Sequence, residues 1–288
     1  MIIIKYQMKY RSFILTIVLI LGSTLNSFSQ ENNEVRTTDA DMTAFYEVVS
    51  HCQEITNLPL PDLVTEIALH LLETQYVAGT LENEPEMLTI NLRETDCILF
   101  VEMCIALAIT VKDPHPMFDD YCDVVKKLRY RGGVVDGYAS RIHYTSEWIQ
   151  QNSSNGLMKE ITPEMGEVLD QKFSYMSTHS GSYKQLKDCP DLVREIAHIE
   201  KGLEKQAPYY YIQQKDIDSK RDLIKNGDIV CFVSPIEGLD ISHVALAYWD
   251  KGELKFIHAS FREKKVVIDK QTIADYAKNG VRFVRLAD

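Results

Sequence analysis

The chain has 288 residues, 45% of them hydrophobic and 25% charged, with a formal net charge of −11. That length suits one large domain or two small ones with a sizeable core, and the composition is that of an ordinary globular protein. The acidic balance argues against nucleic acid or an anionic membrane surface as partner.

Lys5, Lys9 and Arg11 precede an apolar segment at 13–21, and Ser27-Phe28-Ser29 places small residues at the −3 and −1 positions of a cleavage site. Residues 1–29 read as a secretory signal peptide, with an uncleaved anchor as the alternative. Residues 30–288 are then expected as a single domain, periplasmic or secreted. No second long apolar span follows, so no stable membrane association is expected after cleavage, and a monomer is expected.

Two helices come next, at 39–56 and 61–75, the second with Leu63, Ile67, Leu71 and Leu72 at helical spacing. A turn-bearing segment surrounds Gly79, and the alternation in 87–92 predicts a short strand. Residues 95–111 are apolar on nearly every side, which predicts a buried central helix. A further helix is expected at 116–130, ended by Arg131-Gly132-Gly133. Residues 134–225 are the least regular and carry many aromatic and Arg side chains, so they read as an insertion that shapes a pocket. The last sixty residues alternate between strand-like runs and turns, at 228–233, 243–249, 254–260, 265–268 and 281–286. Helices first and an antiparallel sheet last imply an α+β fold, with the central helix packed on the sheet.

Thr95 or Asp96 is placed to cap the central helix, which puts Cys97 in its first turn. A thiol there faces the positive end of the helix dipole, which favours the reactive thiolate. The other five cysteines form no metal-binding spacing. A hairpin centred on the turn at 250–252 pairs 247 with 254, 245 with 256, and 243 with 258. His243 and His258 become direct cross-strand neighbours, with Cβ atoms roughly 5 Å apart. A helix-start cysteine beside two histidines is the layout of a cysteine hydrolase, with Cys97 as nucleophile, His243 as general base and His258 as its orienter. The same three residues could instead contribute to a zinc site.

The chain resembles the NlpC-type, papain-like cell-wall hydrolases at Tyr76 in YVAGT, Asp96-Cys97, Gly227-Asp228 in NGDIVCF, His243 in SHVALAY and His258 in FIHAS. DCILFVE in place of Asp-Cys-Ser-Gly, with YVAGTLE and RIHYTSEW, is similar to the N-acetylmuramoyl-L-alanine amidase-like branch with a large insertion. The resemblance implies a papain-like core, a Cys-His-His site with no cofactor or metal, and peptidoglycan fragments as substrate. It implies hydrolysis of the N-acetylmuramoyl–L-alanine amide. Alternatives are γ-D-glutamyl-diaminopimelate endopeptidase activity and a non-catalytic muropeptide-binding module. Tyr76 is implied to stabilise the oxyanion or position substrate. Asp96 is expected to cap the helix or face the substrate, and Arg141, His143, Tyr144 and Trp148 to contact sugar or carboxylate.

Overall fold

The computed structural model describes residues 35–206 and 208–287, so the leader expected at 1–29 lies outside the described residues. Helix α1 (Asp39–Cys52) opens on a capping box in which Thr38 and Asp41 satisfy each other's backbone N–H groups. Asp41 also accepts from Leu92 N–H and Arg93 Nε, which ties the segment before Cys97 to this first helix. Helix α2 spans Leu60–His70, shorter than the expected 61–75. Its continuation is claimed by the sheet, because Glu73 N–H bonds Val266 O and Tyr76 N–H bonds Lys264 O.

Strand β1 (Gln75–Tyr76) pairs in parallel with β2 (Glu94–Thr95), setting Tyr76 opposite Thr95 and next to Asp96. The strand expected at 87–92 is reduced to a single bridge between Thr89 and Arg36. The Thr89 carbonyl accepts from the buried Arg129 side chain instead of a ladder. Helix α3 (Cys97–Val111) begins at the Asp96 cap, whose Oδ1 accepts from Leu99 N–H at 3.0 Å. Its side chains are buried on nearly all sides, against α2, helix α4 (Phe118–Arg129) and the sheet. Helix α5 (Thr145–Ser154) follows, then β3 (Met158–Glu160), β4 (Glu167–Leu169), helix α6 (Pro190–Glu204) and β5 (Tyr209–Tyr211). Strands β4 and β5 form a two-stranded sheet of their own.

The main sheet is completed by β6 (Ile229–Val233), β7 (Ile241–Asp250), β8 (Glu253–Ser260), β9 (Lys265–Ile268) and β10 (Val281–Leu286), in the order β2-β1-β9-β8-β7-β6-β10-β3. All its pairings are antiparallel except β1 with β2. The protein is therefore α+β with a mainly antiparallel sheet. Gly227 and Asp228 anchor the start of β6. At Gly227 φ is +77°, and a Cβ would fall 2.2 Å from Pro61 O, so only glycine fits. The fully buried Asp228 carboxylate holds Arg285 through two bonds of 2.7 and 2.6 Å.

The β7–β8 hairpin turns one residue later than the spacing suggested. Asp250 pairs with Glu253 across a two-residue loop, Lys251-Gly252, both at positive φ. This is the conformation that matches strand twist in a tight hairpin. The register moves by two, so His243 and His258 are diagonal neighbours rather than direct partners. Because side chains alternate with period two, they keep one face.

Candidate active site

Strands β7 and β8 pair from the turn up to Leu246 and Ile257, and there the ladder stops. Strand β7 nonetheless continues to Ile241 along β6, and β8 to Ser260 along β9. The strands part at His243 and His258, and the head of α3 meets this fork. Ala247 N–H bonds back to Asp228 O, so by alternation the Val244 N–H points toward β8. It lies close enough to Cys97 to favour the charged form of the sulfur. The fork also solves a problem of sides. Val244, Leu246 and Ile257 pack with α3, whereas Phe232, Ala245 and Phe256 pack on the opposite face, the one the two histidines share. A closed ladder would separate thiol from imidazole, and the open one lets Cys97 and His243 line a single cavity.

Cys97 is partly exposed to that cavity and is a free thiol, as are the other five cysteines. Burial, and then the neighbouring Asp96, push its thiol up to about 12. The N–H groups of Val244, Ile98 and Cys97 itself lie near the sulfur and oppose the rise. The helix start thus acts in the expected direction but is outweighed. Burial favours the neutral thiol, against the pull of the helix start toward the thiolate.

His243 Nε2 lies 2.6 Å from His258 Nδ1, with the rings nearly perpendicular. On its far side, His258 Nε2 lies 3.1 Å from Asp269 Oδ2, off the line of a straight hydrogen bond. Phe232, Phe256 and Tyr276 box in the two rings. Burial, then the adjacent His258, hold His243 down at about 3. Burial lowers His258 to about 4, against the pull of Asp269. Both imidazoles are neutral at pH 7, so proton positions follow from their acceptors. The carboxylate calls for a proton on His258 Nε2, leaving Nδ1 to accept from His243 Nε2–H. That leaves His243 Nδ1 as the free base. Asp269 and Tyr276 were not expected from the sequence. The available signal for Asp269 is its position two residues beyond Val267, the cross-strand partner of His258, which places it on the histidine face.

The cavity shared by Cys97 and His243 measures about 290 Å3, and Asp96, Arg141, His143, Tyr144 and Trp148 also line it. Tyr76 and His258 do not line it. Tyr76 sits beside the cysteine, and its phenol is raised by burial and then by Cys97 and Asp96. Asp96, the helix cap, is itself raised by burial. Arg141 is held 3.0 Å from Glu82 and 3.3 Å from Glu86. His143 hydrogen-bonds the Tyr138 carbonyl at 3.0 Å, and burial with Arg141 lowers it to about 3. Tyr144 gives its hydroxyl to Glu200 at 2.7 Å, and Trp148 donates to Glu102 at 3.2 Å. Glu102 also binds Arg129 at 2.8 Å on the cavity floor. Both cations around this cavity, Arg129 and Arg141, are thus already paired. Among the described residues no group of three or more His, Cys, Asp or Glu side chains is arranged to hold a metal ion.

Fold and site together define an α+β protein with a cysteine at the head of a buried helix and a histidine pair at a forked hairpin. The family described as AmiA-like, N-acetylmuramoyl-L-alanine amidase-like, matches residues 66–281. The chain belongs to this family of amidase-like hydrolases. An N-acetylmuramoyl-L-alanine amidase from Bacteroides uniformis is 32% identical, with a TM-score of 0.75, over 80% of this chain and 99% of that one. A Bacteroides fragilis protein described as a candidate xylanase is 36% identical, with a TM-score of 0.70, over 77% and 99% of the two chains. A Legionella pneumophila protein shares the fold at 19% identity and a TM-score of 0.62, over 87% and 97%. No curated protein matches the chain.

Proposed function

We propose that the protein is a cysteine amidase of the NlpC-type, papain-like kind. Its substrate is the N-acetylmuramoyl–L-alanine amide of peptidoglycan fragments. The observation that carries this reading is the single cavity lined by Cys97 and His243, with His243 Nε2 engaged by His258 so that Nδ1 is left as the base. His243 takes the thiol proton as sulfur attacks the amide carbonyl. It returns that proton to the L-alanine nitrogen as the C–N bond breaks, leaving a thioester. Water, deprotonated by the same imidazole, then cleaves the C–S bond and restores the thiol. The N–H groups around Cys97, together with Tyr76, are suited to the developing oxyanion.

A glycosidase reading would need a pair of free carboxyl groups. In this cavity Glu102 is bound to Arg129 and Trp148, and Asp96 caps α3. The branch resemblance and the B. uniformis relative favour the amide. The proposal extends to a single exported domain in which residues 134–225 shape the pocket. The test is digestion of a defined muropeptide by the wild type and by Cys97→Ala, with products read by mass spectrometry. The reading expects release of an L-alanine-headed tripeptide by the wild type alone. Release of L-Ala-D-Glu would move the cleaved bond along the stem. Full activity in the variant, or activity lost to a chelator, would overturn the cysteine mechanism.

A further inference from the structure

A second, larger cavity of about 780 Å3 meets the first at His243. It is lined by His258, Asp269 and Tyr276 but not by Cys97, and its wall carries Arg262, Lys265 and Lys270. Lys265 is paired with Glu73, and Asp269 lies against His258. Arg262 and Lys270 are exposed and form no ion pair among the described residues. Glu263 adds one acid to the same wall.

We infer that this cavity receives the leaving half of the substrate, a peptide bearing free carboxylates. The inference rests on the amidase reading, and chemistry assigns the sides. The acyl half stays bonded to sulfur after the first step, so it must occupy the space that Cys97 opens into. The amine half takes its proton from His243 Nδ1 while still bonded to the carbonyl that sulfur attacks, so its nitrogen lies at Cys97 and only the rest of the peptide can run on past the imidazole. The cavity that His243 lines and Cys97 does not meets this condition. Charge points the same way. In the first cavity both arginines are already paired, so it leaves no free cation for a carboxylate and suits a neutral acyl group. The second offers unpaired cations to a peptide that carries carboxylates and an amine.

The probe is the free tripeptide L-Ala-γ-D-Glu-diaminopimelate, titrated by calorimetry into the wild-type protein and into the double variant Arg262→Gln with Lys270→Gln. The expected result is a Kd about tenfold weaker in the double variant, the scale of two exposed charge contacts. In turnover, the double variant should lower kcat/KM for the N-acetylmuramoyl tripeptide about tenfold relative to that for N-acetylmuramoyl-L-alanine amide. An unchanged tripeptide Kd, or loss of tripeptide binding in His143→Gln but not in the double variant, overturns the assignment. Failure of the wild type to cleave either substrate, with charge-dependent tripeptide binding intact, removes the amidase reading and leaves the peptide site standing.

Discussion

Asp269 Oδ2 lies 3.1 Å from His258 Nε2, on the side of the ring away from His243. Through that contact the carboxylate favours a proton on His258 Nε2, and with it the His243 tautomer whose Nδ1 is free. It touches no reacting atom and is a positioning residue. Asp269→Asn presents an amide that can satisfy either tautomer of His258. The expected loss is about tenfold in kcat with KM little changed, smaller than the ~10²–10⁴-fold that general acid–base catalysis supplies. The acid limb of the kcat profile should shift as well. An unchanged profile with unchanged kcat would remove Asp269 from the site.

Much of the site was legible because it depends on spacing that survives small errors. Asp96 before an apolar run marks a helix start whatever packs against it. The two histidines keep one face through a two-residue slip in register, because parity and not pairing sets the face. The fork was not legible. Nothing in SHVALAY or FIHAS says that their ladder stops at Leu246 and Ile257, since a strand's partner at each position is a tertiary property. Asp269 was missed for the same reason, as its place depends on the β8–β9 register. The balance at the thiol was not legible either, because the burial that opposes the helix N-terminus is a tertiary property.

The reactivity of Cys97 should follow from that burial. Burial pushes the thiol up to about 12 and His243 down to about 3, which favours a neutral pair over a thiolate–imidazolium pair. Alkylation by iodoacetamide should therefore climb steadily from pH 6 to pH 10, with Cys97→Ala as the blank. A rate plateau reached by pH 5 would show an ion pair and contradict this account.

Three histidines make folding sensitive to acid. His143 and His243 are lowered to about 3 and His258 to about 4, from an ordinary value of 6.5. Above pH 6.5 both the folded and unfolded chains hold them neutral. Between 6.5 and about 4 the unfolded chain binds protons that the folded chain refuses, so stability falls as the pH falls. The buried acids Asp96, Glu102 and Asp240 are raised and oppose this trend lower in the range. His143→Gln can still donate to the Tyr138 carbonyl and removes one of the three. Its Tm should decline less than that of the wild type between pH 7 and 5, by at most about 1.4 kcal/mol of stability per pH unit. Parallel Tm curves would show that His143 does not contribute.

The floor of the site rests on a buried ion pair five residues along α3 from the cysteine. Glu102 accepts from Arg129 Nε at 2.8 Å and from Trp148 Nε1 at 3.2 Å, and Arg129 reaches on to the Thr89 carbonyl at 2.7 Å. One carboxylate thereby ties α3 to α4, to α5 and to the segment ahead of the nucleophile. Glu102→Ala strands the Arg129 charge and the indole N–H, and should cost about 3–5 kcal/mol in urea unfolding. Glu102→Gln keeps an acceptor for one donor and should cost less, about 1–3 kcal/mol. The order of the two variants matters more than their size. If the pair is a support, Ala must be worse than Gln in stability, and Gln should fold with its cavity intact and retain turnover. Equal stability in all three proteins would mean that water replaces the carboxylate without loss, and that packing alone holds the helix head at the fork.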